Sequence, residues 1–176
     1  IDKALAIALD GQPGPVHVDI PISVAAKEQL AQDFPVDREI IVSNMPSPSA
    51  PAEGAALESA RNWLREAKQP LMIAGVDVLN QHAEKAVAEF ARDFRIPLIT
   101  TYKAKGVLPE DDPLALGGAG LSPLADKQLL PLLRESDLII LAGYDPIEMR
   151  VGWRNPWDES ARVLEFCAVP NTHYMH

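Results

Sequence analysis

The chain has 176 residues, 47% apolar and 23% charged, with a formal charge of −9. This is the balance of a globular chain with one core of ordinary size. The acidic excess argues against a nucleic-acid partner, because it repels phosphate backbones. No apolar run approaches the roughly 20 residues of a membrane helix.

Residues 1–10 read as the end of a helix, and Gly11, Pro13, Gly14 and Pro15 as a turn. The chain opens on Ile1, inside that helix, and is therefore expected to be a piece of a longer polypeptide. Val16–Ile20 alternates as a short strand does, and Pro21 stops it. Residues 22–52 carry Pro35, Pro46, Pro48 and Pro51 among Ser and Ala, the composition of a linker. A domain boundary is expected there.

Regular periodicity begins at residue 53. Ala56, Ala60, Trp63, Leu64 and Ala67 share one helical face, and Pro70 ends that helix. Leu71–Val76 reads as a buried strand. Asn80 is the expected cap of a second helix, with Ala83, Ala86, Val87, Phe90, Ala91 and Phe94 on its apolar face. A second strand, Leu98–Tyr102, follows Pro97, and a Gly- and Pro-containing loop covers 103–121. Ser122 and Pro123 have the chemistry of a helix start, and Pro131 is expected to break or restart that helix. Asp137–Tyr144 is the third strand, and Arg162–Phe166, after a Trp-containing loop, the fourth.

Strands that are apolar on both faces and alternate with helices belong to a doubly wound parallel α/β sheet. Such sheets bind ligands at the carboxyl ends of their strands. Here those ends carry Gly75, Val76, Thr100, Thr101, Gly143, Tyr144 and Asp145, which together form a candidate nucleotide crevice. Gly75 permits a sharp turn that a diphosphate can approach, or simply a tight turn; a dinucleotide fingerprint needs three glycines and this turn has one. Thr100 and Thr101 offer hydroxyls either to a ligand or to local backbone groups. Lys103 and Lys105 offer positive charge to a phosphate or, as is usual for lysines in a polar loop, are simply solvated. Gly117, Gly118 and Gly120 lack the Lys-Ser or Lys-Thr of a phosphate loop and read as loop glycines. Asp111 and Asp112 read as solvated turn acids, and Trp153 and Trp157 as groups packing on a neighbouring domain. Cys167, the single cysteine, excludes an internal disulfide, agrees with a cytoplasmic setting and reads as a small buried hydrophobe at a strand end. Among the four histidines, His173 and His176 have ligand spacing, but two ligands make a poor zinc site, so no metal is expected. No catalytic constellation assembles.

The order of four motifs resembles the thiamine-diphosphate enzymes related to acetolactate synthase. GPVHVDIP (Gly14–Pro21) is similar to the last strand of their pyrimidine-binding domain. QPLMIAGVDV is similar to the opening of their central domain, and Ile96–Gly120 to its second strand and loop. SDLIILAGYDPIE (Ser136–Glu148) resembles the third strand of the catabolic, flavin-independent synthases. The resemblance implies a Rossmann-like central domain at 53–176, truncated at its end, preceded by a pyrimidine-domain remnant at 1–21 and a linker at 22–52. In the parent, thiamine diphosphate and Mg would be held by a glutamate and a Gly-Asp-Gly element outside this segment, so the segment alone is expected to be inactive. The parent would act on a 2-keto acid as a homo-oligomer, with the other domains of its own chain as partners. FAD or ADP, held by some relatives, is disfavoured. Asp145 stands where flavin-binding relatives have an arginine, and Cys167 where they have an aspartate. The rival readings are another decarboxylase of this superfamily (oxalyl-CoA or benzoylformate type), an independent nucleotide-binding module, and an NAD-dependent deacylase.

Overall fold

The computed structural model describes residues 2–9, 14–25, 53–153 and 156–168. The chain divides into two compact units, 1–50 and 51–176.

In the first unit, helix α1 (Asp2–Leu9) leads to residues 14–21 without regular structure and then to the single turn α2 (Ile22–Ala25). The strand expected at Val16–Ile20 is absent. Its residues are exposed, and a strand needs a hydrogen-bonded neighbour, which the described residues do not provide. The remainder of the expected linker, 26–52, lies outside the described residues.

The second unit is a five-stranded, fully parallel sheet: β1 (Pro70–Ala74), β2 (Leu98–Thr101), β3 (Ala115–Ala119), β4 (Leu138–Ala142) and β5 (Arg162–Phe166). The spatial order is β3-β2-β1-β4-β5. The chain winds outward through β2 and β3, then returns to the other side of β1. The switch point of the sheet therefore lies between β1 and β4. Helices α3 (Ala55–Glu66) and α5 (Glu84–Phe94), with the short α4 (Asp77–Asn80), are joined to one face through Met72, Ala74, Leu98, Leu138 and Ile140. Helix α6 (Pro123–Glu135) covers the other through Leu129 and Leu133 against Ile73, Ile99, Ile139 and Leu141. All five residues of β4 are buried. Each large side chain removed from water contributes roughly 1.5–3 kcal/mol, so the central strands carry the stability.

At the amino end of the sheet, Asp137 ties β1 to β4. Its carboxylate accepts hydrogen bonds from the backbone N–H groups of Lys68 (2.7 Å) and Gln69 (2.9 Å).

Several expectations need correction. The segment 103–121 contains β3, an edge strand hidden by Gly117 and Gly118, residues that rarely favour strands. It forms because Leu98 and its successors offer β2's free edge as a template. Helix α6 runs unbroken through Pro131. Pro131 and Lys127 are both exposed, so the carbonyl that loses its donor can be hydrated. Asn80 ends α4 rather than capping α5, whose cap position is Ala83. Phe94 is exposed and rests on Phe90, with centroids 4.7 Å apart, while Ala88 takes a core position instead. Trp153 is 2% exposed and Trp157 packs on the same cluster, so both tryptophans serve this unit's own core. Asp112 is an organising group: it accepts from Arg92 Nε (2.9 Å) and from the Leu114 N–H (3.0 Å). Cys167 is exposed, because it follows β5, the edge strand of the sheet, whose own residues are mostly exposed. Burial of part of its surface still pushes its thiol pKa up, with the charges of Glu165 and Asp77 adding to the effect. His173 and His176 lie outside the described residues.

Candidate functional site

The seven residues singled out at the strand ends do not form one surface. The structure separates them into three groups.

Gly75, Val76, Thr101, Gly143 and Asp145 gather at the switch point. The turns after β1 and β4 are pressed together there, backbone on backbone. The Gly75 N–H donates to the Ala142 carbonyl (2.9 Å), and the Asp77 N–H to the Gly143 carbonyl (3.1 Å). A Cβ on Gly75 would run into the Gly143 carbonyl oxygen and lie 2.5 Å from the Tyr144 Cα. A Cβ on Gly143 would lie 2.6 Å from the Val78 nitrogen, and Gly143 also has φ +53°. Glycine is required at both positions because the chain packs on itself.

Thr100 faces the opposite way from Thr101, as neighbours on a strand must. With Lys105, Gly106, Glu110, Gly117 and Gly118 it lines a cavity of about 300 Å³ beside β3. Lys105 and Glu110 pair across 2.6 Å, both exposed. Their hydrogen bond, and then their opposite charges, raise the lysine pKa and lower the glutamate pKa.

Tyr144 turns into the core and is 4% exposed. Among the described residues its hydroxyl has no hydrogen-bond partner. Burial, followed by the nearby charges of Glu148 and Asp145, pushes its pKa well above the usual tyrosine range.

At the centre of the first group stands a residue that periodicity and motif reading passed over, Glu148. It is 9% exposed. One carboxylate oxygen accepts from the Val76 N–H (3.1 Å) and, at longer range, from the Asp145 N–H (3.4 Å). The other accepts from the Thr101 hydroxyl (2.7 Å), which in turn accepts from the Ala104 N–H (3.2 Å). Glu148 reaches this place through a capping box. Asp145 caps the 3-10 turn Pro146–Glu148 by accepting from the Ile147 N–H (2.9 Å), and Glu148 returns the bond to the cap residue. The signal was present in the sequence: Asp-Pro-x-Glu is an acidic cap, a proline at the first helical position and a glutamate at the third. The amide that an anionic ligand would use at the β1 turn is thus engaged by the chain's own carboxylate.

Among the described residues, no group of three or more His, Cys, Asp or Glu side chains is placed to hold a metal ion. No described helix is long and apolar enough to cross a membrane.

Comparison with known proteins agrees with this architecture. Residues 57–171 match the family model described as thiamine pyrophosphate enzyme, central domain. A probable acetolactate synthase large subunit of Methanocaldococcus jannaschii is 31% identical over 140 residues, covering 80% of this chain and 23% of the relative. The 2-hydroxyacyl-CoA lyase 1 of Mus musculus is 29% identical over 143 residues, 81% of this chain and 22% of the relative. Oxalyl-CoA decarboxylase of Escherichia coli is 29% identical over 131 residues, 74% of this chain and 23% of the relative. The aligned part of this chain thus spans about a quarter of the length of the curated relatives it matches. Family, strand order and relatives agree, and they do not favour an independent nucleotide-binding module: the chain belongs to the central-domain family of the thiamine pyrophosphate enzymes and is similar to acetolactate synthase large subunits.

Proposed function

We propose that this chain is the scaffolding central domain of an enzyme that decarboxylates a 2-keto acid and transfers or releases the resulting aldehyde fragment. Thiamine diphosphate and Mg²⁺ are held by parts of the parent outside this segment, and the cofactor supplies the electron sink for the carbanion. The domain itself binds neither these nor FAD or ADP. The parent works in the cytoplasm as a homo-oligomer. Residues 1–21 belong to the preceding pyrimidine-binding domain, and 22–52 link it to the unit described here.

One observation carries this reading. The switch point, where a doubly wound sheet takes a ligand, is filled by the chain itself: Gly75 lies on Gly143, and Glu148 uses the Val76 amide. A nucleotide diphosphate brought there meets a buried carboxylate and finds its amide donor taken.

Titration calorimetry of the chain with thiamine diphosphate and Mg²⁺ tests the assignment, and no saturable heat is expected. FAD should move the melting midpoint by less than about 2 °C, against roughly 5–10 °C for a true ligand at a hundredfold excess over its dissociation constant. Micromolar binding of either compound would sink the scaffold reading.

A further inference from the structure

The bonding of Glu148 has the form of a ligand site. Its donors come from three separate strand ends: Val76 after β1, Thr101 at the end of β2 and Asp145 after β4. All three are neutral N–H or O–H groups. Among the described residues Glu148 has no salt bridge. A buried carboxylate without a counter-charge persists only where fixed dipoles are aimed at it. Converging backbone amides at a strand–helix turn are also the means by which proteins hold phosphate. Room for the carboxylate is made by Gly75, whose Cβ would stand 2.9 Å from Glu148 Oε1. The capping box fixes the glutamate backbone within three residues of Asp145, so little freedom remains to be lost when the side chain seats.

We propose that the switch point is an anion cradle whose permanent occupant is the Glu148 carboxylate, and that this residue excludes phosphate-bearing ligands from the domain. The proposal rests on the reading that the crevice takes no nucleotide, and adds to it the group responsible and the chemistry it displaces. The cradle's complement is a small oxyanion. Shortening the side chain to Ala leaves the donors in place and vacates the position of that oxyanion.

The test uses the 176-residue chain and its Glu148→Ala and Glu148→Gln variants. Melting midpoints are read while inorganic phosphate is titrated at constant ionic strength, with sodium acetate as a second probe. ADP binding is followed by equilibrium dialysis. The wild-type midpoint stays flat in phosphate. Glu148→Ala melts lower and recovers by roughly 5 °C or more at saturating phosphate, with acetate acting likewise. Glu148→Gln fills the same volume without the charge and stays flat. Adding Thr101→Val to the Ala variant weakens its phosphate response about fivefold, the loss of one hydroxyl donor. A folded Ala variant insensitive to both anions overturns the cradle and leaves the scaffold reading standing. So does an Ala variant that stays unfolded at every anion concentration, because no external anion has then replaced the carboxylate. A Gln variant that responds as Ala does overturns exclusion by occupancy. Saturable ADP binding by the wild type overturns both readings together.

Discussion

Two carboxylates tie β1 to its neighbours, one at each end of the sheet. At the amino end Asp137 accepts two backbone amides from the α3–β1 turn. At the carboxyl end Glu148 accepts amides from the turns after β1 and β4 and the Thr101 hydroxyl. The chemistry is the same, but the surroundings are not. Asp137 is only partly buried; burial works against its charge, but the Lys68 and Gln69 amides outweigh that and hold its pKa below the usual carboxylate value. Glu148 is 9% exposed, and its site is enclosed by atoms with no slack, as the contacts around Gly75 show. Water can replace any partner that Asp137 loses. At Glu148 a lost partner leaves an unsatisfied group, and an unpaired buried acceptor costs far more than a wet one. A polar clamp at the rim therefore adjusts stability, whereas the same clamp inside the switch point decides what else can enter.

The largest effect expected from this contrast is steric. Gly75→Ala drives a methyl group into the Gly143 carbonyl and toward Glu148, and should cost about 3 kcal/mol or more. In a chain of this size that is a fall of roughly 6–12 °C in the melting midpoint. Gly118→Ala, whose methyl meets only Thr100 Oγ1 at an ordinary 3.8 Å, is the control and should lose less than about 1 kcal/mol. Equal losses would show that the switch point is not the tighter place.

A middle-sized effect is expected from Thr101→Val, which keeps the shape and removes the shortest bond to Glu148. It leaves that carboxylate oxygen short of a partner, while the Ala104 N–H keeps its bond to the Thr101 carbonyl (3.1 Å), and should cost about 1–3 kcal/mol in chemical denaturation. A neutral outcome would mean that water reaches Glu148 and that the two carboxylates differ less than argued.

The smallest effect belongs to Asp137. Its pKa is lower in the folded chain than the unfolded value of 3.8. Its contribution is therefore fully present above that value and drains away as the pH falls through the lower native one. Asp137→Asn should flatten the acid limb of the stability curve there and shift the neutral-pH midpoint by only about 1–2 °C. Melting curves across the acid range, wild type against variant, measure it. An unchanged acid limb would show that the amino-end clamp contributes nothing.

Much of the sheet was legible in the amino-acid sequence because β1, β2 and β4 are buried on both faces and must be apolar throughout. Of the apolar stripe Ala56, Ala60, Trp63, Leu64 and Ala67, all but Ala56, which is exposed at the first turn, lie on the buried face of α3. The strand ends were also identifiable, since an apolar run stopped by Gly75 or Gly143 can only be leaving the core. Tertiary structure decided the rest. β3 takes its conformation from a neighbouring edge rather than from its own glycine-rich composition. Trp153 is buried by a fold-back that no periodicity announces. Glu148 lies 72 residues from Val76 and 47 from Thr101, and its capping-box pattern foretells only a local turn. Local sequence constrains φ, ψ and which face is apolar. Which donors converge on one carboxylate depends on strand order, and that is settled only when distant segments pack.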